Sequence, residues 1–309
     1  TMFAIANDGS LYAWGNNDNY QFGNGTNTSS YTPIKIGTKT WKVIAYQNSF
    51  TVGITTDGKL WSTGENDNYK TGLGVNTGFT QSFTQIGTDS DWNTVALFAG
   101  GGYAIKTNGT LWSWGGSGFY ATGQGTNSPD IQTPTQVGSA TDWLSVAGGS
   151  AVGFAITTGG KLYSWGDKRY YANGQGTLAD IKVPTQLGTA TNWTKVVAHP
   201  HGGMALNSDN QLWVWGKDSN YENGLGTTSN KLTPTILRPD LKWTDISARN
   251  HSGSDTGGGA GIATPREGRI WVWGSNDSYR TGLGTNVGYQ QTPVMIGSGD
   301  TFTKIAGVC

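Results

Sequence analysis

Short runs of apolar and aromatic residues, each bounded by glycine or polar residues, recur along the whole chain. One copy of the pattern starts at Trp143 and contains four such runs. They are Trp143–Ala147, Phe154–Thr157, Leu162–Trp165 and a last run near Pro184–Leu187. Runs of this length between turn residues are typical of β-strands. The pattern therefore predicts an all-β chain built from repeated four-stranded units.

A pair of turn residues separates the second and third runs of every repeat. Five of the six pairs contain glycine, and the exception combines Asp with Asn, which also tolerate a positive φ. The pairs are Asp8-Gly9, Asp57-Gly58, Asn108-Gly109, Gly159-Gly160, Asp209-Asn210 and Glu267-Gly268. A type I′ turn needs a positive φ at both central residues. Each pair therefore predicts a tight β-hairpin.

Proline marks the fourth run of five repeats, and Phe83 takes its place in the second repeat. The prolines are Pro33, Pro134, Pro184, Pro234 and Pro293. Proline has no N–H to donate to a neighbouring strand, so it is tolerated at the edge of a sheet. The fourth strand of each unit is therefore predicted to be an exposed edge.

The motif Tyr-x-x-Gly-x-Gly occurs six times, after the third strand of each repeat. Its tyrosines are Tyr20, Tyr69, Tyr120, Tyr171, Tyr221 and Tyr279, separated by 49, 51, 51, 50 and 58 residues. A period of about 50 residues in a chain rich in glycine and tryptophan indicates a propeller or a solenoid.

The two ends of the chain lie almost in the same phase of the repeat, which predicts a single closed six-bladed β-propeller domain spanning 1–309. One blade would be stitched from both termini, with residues 303–306 as its first strand. The predicted repeat phase is 1–50, 51–102, 103–152, 153–202, 203–260 and 261–309. Closure of this kind removes the open edges of a linear array.

All 14 tryptophans fall at three positions of the repeat. Five open the first strand, four lie within the third strand, and five stand before a glycine at its end. Such a cluster is compatible with a ligand platform. Its regular placement favours packing between blades, and a buried tryptophan of this kind contributes about 3–5 kcal/mol.

Charged residues make up only 13% of the chain, with 20 basic and 20 acidic residues. A net charge of zero argues against a nucleic-acid partner, which requires a basic surface. No apolar run approaches the roughly 18 residues of a membrane span. The single cysteine, Cys309, excludes an internal disulfide.

Together, the hairpin Asp-Gly, the Trp-Gly after the third strand, the Gly-x-Gly turn and the proline before the outer strand resemble the regulator of chromosome condensation repeat family. The resemblance covers the whole chain and implies a β-propeller. It also implies a choice of roles: nucleotide exchange on a small GTPase, chromatin association, enzyme inhibition or protein docking. The tyrosine of the repeated motif stands where that family usually has glycine.

Similar repeats also occur in bacterial and bacteriophage surface proteins, and the low-charge composition rich in Asn, Thr and Gly resembles those. An extracellular or virion location is therefore expected rather than a cytoplasmic one.

No catalytic or cofactor motif is evident, so no catalytic residue, cofactor or metal is predicted. His199, His201 and His251 fall in loops of two adjacent repeats without further ligands at metal-binding spacing. Tyr-x-x-Gly-x-Gly superficially resembles a dinucleotide loop, but that loop needs a following helix, and here a strand follows.

One loop departs from the repeat: the loop at 249–261 is longer than the corresponding loops of the other repeats by about eight residues. An insertion on one face of a repeat array often marks a binding surface. Arg249, His251 and Asp255, together with the six tyrosines, are therefore the candidate binding residues. The alternatives are a tolerated glycine loop and tyrosines that pack between blades.

The sequence thus predicts a non-catalytic binding or assembly module with a protein partner, such as a virion or cell-surface component. Two alternatives stay open. One is a lectin that stacks carbohydrate on its aromatic residues, and the other is an exchange factor for a small GTPase.

Overall fold

The computed structural model describes residues 1–248, 260–265, 268–276, 279, 281–286, 288–297 and 302. Within these residues the chain is built from 22 β-strands and three single 3-10 turns. The turns are Asp67–Tyr69, Gly118–Tyr120 and Arg169–Tyr171. The all-β prediction is confirmed, and no helix of the described part has the length and apolar character that a membrane crossing needs.

The strands form five sheets, one with six strands and four with four strands each. The six-stranded sheet contains β1 (Met2–Ile5), β2 (Ser10–Gly15), β3 (Ser30–Gln47), β4 (Phe50–Thr55), β5 (Leu60–Glu65) and β6 (Phe79–Gln85). The next two sheets contain β7 (Trp92–Phe98), β8 (Gly101–Lys106), β9 (Leu111–Gly115) and β10 (Ile131–Gln136), then β11 (Trp143–Gly148), β12 (Val152–Thr157), β13 (Leu162–Gly166) and β14 (Ile181–Gln186). The last two contain β15 (Trp193–His199), β16 (Gly202–Asn207), β17 (Leu212–Gly216) and β18 (Lys231–Leu237), then β19 (Trp243–Ala248), β20 (Ala260–Pro265), β21 (Ile270–Ser275) and β22 (Tyr289–Ile296).

The prediction of six four-stranded blades is wrong, because the described residues form five sheets. β3 runs unbroken from the proline-bearing run of the first repeat into the first strand of the second repeat, so both repeats share one sheet. The physical reason is a shorter connection. Trp41 follows Ile36 by five positions, whereas Trp92 follows Ile86 by six, which leaves no room for a separating turn. The predicted strand at 303–306 lies outside the described residues.

The predicted hairpins are confirmed where the structure describes them. β12 and β13, for example, pair antiparallel from Val152↔Gly166 to Ile156↔Leu162, around the turn at Gly159-Gly160. The expected type I′ turn is wrong, however, because in the five fully described pairs only the second residue takes a positive φ, for example +77° at Gly109, +70° at Gly160 and +58° at Asn210. A Cβ added to Gly109 would also lie 2.1 Å from the Thr141 carbonyl oxygen. Both the positive φ and the lack of space for a side chain therefore require glycine at this position.

Four of the five proline-bearing strands lie at sheet edges, as predicted. The prediction is wrong for Pro33, which lies in β3 between β2 and β4, because β3 continues into the second repeat. β10, β14, β18 and β22 each occupy one end of a four-stranded sheet. Every residue of β12 is buried, whereas β14 contains only half-buried and exposed residues. Since an edge strand needs to pair on one side only, Pro134, Pro184, Pro234 and Pro293 are accommodated without a lost ladder bond.

The chain divides into two compact units, Thr1–Gly148 and the part from Gly149 onward. A core cluster of the first unit includes Phe50, Ile54 and Trp114. A core cluster of the second includes Met204 and Trp273. In each unit a tryptophan that precedes a glycine at the end of a third strand is fully buried in such a cluster.

The tryptophans differ in burial by repeat position. Those that open first strands are 0–7% exposed: Trp41, Trp92, Trp143, Trp193 and Trp243. Those that precede glycine are fully buried, except for half-buried Trp14: Trp114, Trp165, Trp215 and Trp273. Those within third strands are half-buried: Trp61, Trp112, Trp213 and Trp271. This third class is less buried but still packs on the core, because Trp61, Trp112 and Trp271 each contact a cluster of buried residues, in agreement with the predicted packing role.

Candidate functional site

The repeated tyrosines share a left-handed backbone φ in all six copies. Each tyrosine has a φ between +58° and +60°. The N–H of the glycine three residues later donates to the tyrosine carbonyl, at 2.9 Å in both the Tyr69 and Tyr171 loops. The motif is therefore a tight turn with a left-handed residue at its start.

The left-handed φ gives a physical reason for the glycine that the resembling family usually has at the tyrosine position. A positive φ brings Cβ close to the following carbonyl oxygen, and it costs an L-residue about 1–2 kcal/mol. Glycine adopts it without that cost. The chain nevertheless places tyrosine at all six positions. The backbone alone gives no reason for this choice.

The first glycine of the motif lies against the indole of the next repeat. A Cβ on Gly72 would come within 2.9 Å of the Trp114 ring, and one on Gly174 within 2.8 Å of the Trp215 ring. The Trp114 Nε1–H also donates to the carbonyl oxygen of Lys70 at 2.9 Å, within the same loop. The loop is therefore packed and hydrogen-bonded against a buried tryptophan.

The second glycine pairs with the edge strand of the next repeat. The Gly74 N–H donates to the Gln132 carbonyl at 3.1 Å, and the Gly176 N–H to the Leu232 carbonyl at 2.9 Å. Gly25 and Gly226 make the same bond to Gln81 and Gln291, at 3.1 Å each. The motif thus holds consecutive repeats together, a role that sequence reasoning missed because only the structure shows which carbonyl each N–H meets.

A buried polar side chain three residues before the tyrosine ties the two ends of the loop. Asn66 is fully buried, accepts a bond from the Thr71 N–H at 3.2 Å and donates to the Val75 carbonyl at 2.7 Å. Asn17 and Asn276 make the corresponding bonds. Because each amide both donates and accepts, both ends of the loop are satisfied.

Asp218 replaces this asparagine in the fifth loop. Its carboxylate is fully buried and accepts the Asn223 N–H at 2.9 Å, and the Thr227 hydroxyl donates to it at 3.4 Å. The Lys231 ammonium is 3.9 Å away. Burial raises the pKa of Asp218 to about 6, against the lowering effect of the Asn223 bond and the Lys231 charge.

The tyrosine side chains are neither fully buried nor free. Five are half-buried, and Tyr279 is 59% exposed. Tyr20 packs on Phe79 with ring centroids 5.7 Å apart, and Tyr221 on Tyr289 at 6.1 Å. The loops thus offer partly exposed phenol groups on a fixed backbone. Arg249, His251 and Asp255, the other predicted binding residues, lie outside the described residues.

The two described histidines have separate environments. His199 is 4% exposed, and burial lowers its pKa to about 3, helped by the positive charge of His201. Its Nε2 lies 3.3 Å from the Trp215 carbonyl oxygen, a bond in which Nε2–H donates. His201 instead packs on Tyr170 with centroids 5.0 Å apart. Across the described part of the chain, no group of three or more His, Cys, Asp or Glu side chains could hold a metal ion.

Residues 8–52 match the family model for the regulator of chromosome condensation (RCC1) repeat. The match identifies this segment as an RCC1-type repeat. The resemblance predicted from the motifs is confirmed, and the matched RCC1 segment runs from the first hairpin turn through the Tyr20 loop into β4. No curated protein matches the chain by sequence.

Solved structures show the same fold. Human WBSCR16 is 18% identical with a TM-score of 0.83, over 98% of this chain and 80% of that chain. Prp20p from Saccharomyces cerevisiae, described with its binding properties to Gsp1p and histones, is 19% identical with a TM-score of 0.79, over 96% of this chain and 75% of that chain. Yeast RCC1 (Prp20) bound to Kap60 gives 18% identity and a TM-score of 0.78, over 96% of this chain and 73% of that chain. At these identities the likeness establishes an RCC1-type β-propeller fold and leaves function open.

Proposed function

We propose that this protein is a non-catalytic binding module that docks a protein partner on its tyrosine loops. The observation that carries the proposal is the φ of about +59° at the tyrosines, a conformation that glycine would adopt without strain. Backbone strain kept at several equivalent positions is typical of functional sites. The side chain, rather than the backbone, is therefore the feature that each loop retains.

Tyrosine is well suited to a protein interface. It combines a large apolar ring with a hydroxyl group, and it loses little conformational entropy when it is immobilised. The loops are held by the glycine–tryptophan contacts and by the bonds to the next repeat, so little ordering cost arises on binding. Because the chain has no net charge, apolar contact and hydrogen bonding would contribute more than electrostatic steering.

The structural relatives support a protein as the partner class. Prp20p is described with Gsp1p and histones, and yeast RCC1 is described bound to Kap60. For this chain the partner is proposed by chemistry alone, as a protein surface with exposed apolar residues and hydrogen-bonding groups. The low-charge composition favours a partner in an extracellular or virion assembly.

The test uses glycine variants, because they remove the phenol group and relax the backbone together. Tyr69→Gly and Tyr279→Gly are combined in one variant. Asn210→Gly is the matched control, since it relaxes a positive φ of +58° at a hairpin turn. Wild type and both variants are immobilised and used for affinity capture from an extract of the source organism. We expect one partner to be captured equally by wild type and control, and about tenfold less by the tyrosine variant. Equal capture by all three would overturn the proposal.

A second candidate function is nucleotide exchange on a small GTPase, favoured by the likeness to Prp20p, whose structure is described with Gsp1p binding. Release of a fluorescent guanine nucleotide from Gsp1p, measured with and without this protein, tests it. Acceleration by wild type and by Asn210→Gly, but not by the tyrosine variant, would place exchange on the same loops. No acceleration with wild type rejects this candidate for Gsp1p.

A further inference from the structure

A T-shaped pair of tryptophans recurs in three repeats. One ring opens the first strand and the other lies in the third strand. The distance between ring centroids and the angle between ring planes are 5.7 Å and 81° for Trp92–Trp112, 5.9 Å and 79° for Trp193–Trp213, and 6.2 Å and 82° for Trp243–Trp271. Because the ring geometry is nearly constant, the pairs differ mainly in the side chains that contact the rings.

Two of these pairs carry a cation of the chain itself. The Lys106 ammonium lies 4.8 Å from the ring centroids of both Trp92 and Trp112. The Arg238 guanidinium lies 5.4 Å from the Trp271 ring. In the second repeat, Lys39 lies 3.7 Å from the Trp61 ring. A cation within about 6 Å of an indole face is attracted by the ring quadrupole.

The Trp193–Trp213 pair lacks such a cation among the residues that the structure describes. The strand register explains the difference. Trp92 pairs with Lys106, whereas Trp193 pairs with Asn207. Asn207 is an uncharged residue whose amide bonds to Gln211 at 2.9 Å. Trp243 also pairs with a neutral residue, Pro265, but Arg238 supplies the cation at its pair. At the Trp193–Trp213 pair the register position is neutral, and no described cation takes its place.

An open cleft of about 710 Å³ lies at this pair. The side chains that line it include Trp193, Trp213, Gln175, Asn192, Asp209 and Gln211, and none of the described lining residues is a lysine or an arginine. Among these described residues the exposed Asp209 is the one that carries a charge. Its carboxylate accepts a bond from the Asn192 amide at 3.3 Å, and its backbone carbonyl accepts one from the Lys242 ammonium at 3.0 Å.

The corresponding cleft at Trp61 is smaller and already contains cations. It measures about 470 Å³, and Lys39 and Lys59 line it together with Asp57. The two clefts thus share a third-strand tryptophan and a hairpin aspartate, but only the Trp61 cleft supplies its own ammonium groups. The chain itself therefore shows that an aromatic site of this kind accepts a lysine ammonium group.

We propose that the Trp193–Trp213 cleft binds a lysine side chain presented by a polypeptide partner. The ammonium would lie against the indole rings, as Lys106 does in the third repeat, with Asp209 as the nearby counter-charge. A cleft of this size also accommodates the residues that flank the lysine. No tyrosine of the repeated motif lines it, so this site does not depend on the proposed role of the tyrosine loops.

The direct test compares three probes on the intact protein. They are acetyl-Gly-Lys-Gly-amide, the same peptide with norleucine in place of lysine, and methyl glucoside. Binding is followed by the indole N–H resonances of Trp193 and Trp213. The lysine peptide is expected to shift both resonances and to bind about tenfold more tightly than the norleucine peptide. Equal binding of the two peptides, no binding of either, or binding of the glucoside alone would each overturn the proposal.

Three variants locate the site. Asn207→Lys supplies the missing cation and is expected to abolish binding of the lysine peptide. Asp209→Asn removes the counter-charge and is expected to weaken binding about threefold. Asp57→Asn, at the cleft that Lys39 already covers, is the matched control and is expected to leave binding unchanged. If Asn207→Lys does not fold, the contrast between Asp209→Asn and Asp57→Asn still decides. Equal affinity of those two variants would contradict the assignment.

Discussion

Each repeat has a residue with a positive φ at its hairpin turn and another in its tyrosine loop, but the residue types at these two ends differ. At the hairpin end, Gly109, Gly160 and Asn210 take a positive φ, and these residue types tolerate it well. At the loop end, a tyrosine takes a φ of nearly the same value in all six copies. Local propensity and structure therefore agree at one end and conflict at the other.

This difference separates architecture from candidate function. The hairpin end has glycine or asparagine at its one left-handed position, so these residues are explained by the fold. The loop end uses its glycines for the fold, because Gly174 lies against Trp215 and Gly176 pairs with Leu232. Its tyrosines remain unexplained by the fold, and they are the residues that we assign to binding.

The largest contrast between the two ends should come from tryptophan truncation. Trp215 is fully buried against the loop glycine, whereas Trp213, towards the hairpin end, is half-buried. Trp215→Ala should lower the free energy of unfolding by about 3–5 kcal/mol, and Trp213→Ala by about 1–2 kcal/mol. Urea denaturation of both variants measures this difference. Equal losses would mean that the loop end is no better packed than the hairpin end.

A smaller effect concerns the buried carboxyl group of the fifth loop. Since the pKa of Asp218 rises from 3.8 to about 6 on folding, the folded state binds more protons than the unfolded state between those pH values. The contribution of this group to stability therefore falls as pH rises from about 4 to about 6 and stays low above that range. The cost at pH 7 is on the order of 3 kcal/mol.

Asp218→Asn restores the amide found at Asn66 and should remove this cost. The variant is expected to be more stable than wild type at pH 7 and to differ little from it at pH 4. Unfolding free energies at both pH values give the comparison. A variant that is less stable than wild type at pH 7 would show that the ion pair with Lys231 outweighs the burial of the carboxylate.

The smallest effects come from replacing left-handed residues with glycine. Asn210→Gly at the hairpin should change the unfolding free energy by no more than a few tenths of a kcal/mol, because asparagine already tolerates a positive φ. Tyr20→Gly should gain less than the full relief of strain, because it also loses the ring contact with Phe79. Thermal denaturation of both variants checks this order. A gain at Asn210 larger than at Tyr20 would reverse the comparison.

Local signals predicted much of the fold. The turn pairs placed the hairpins, and proline placed four of the edge strands, because each acts through the φ or the N–H of its own residue. The sheet count could not be predicted in this way. It depended on one fewer residue between Ile36 and Trp41, which fused the strands of two repeats into β3.

The candidate site was predicted less completely. The repeat identified the tyrosines, but not their left-handed backbone or the pairing of the loop glycines with the next repeat. These features depend on residues about 50 positions away in the sequence. The Trp193–Trp213 cleft also escaped prediction, because its signal is the absence of a lysine at Asn207. Only the strand register reveals that position as the counterpart of Lys106.

The central claim is that the loop tyrosines are kept at a cost to stability. The most direct test is the free energy of unfolding of Tyr279→Gly, because Tyr279 is 59% exposed and has a φ of +59°. Removing a side chain that packs little while relaxing its backbone should raise this free energy by about 1 kcal/mol over wild type. A decrease of similar size would contradict the account, because it would show that the tyrosine is present for packing.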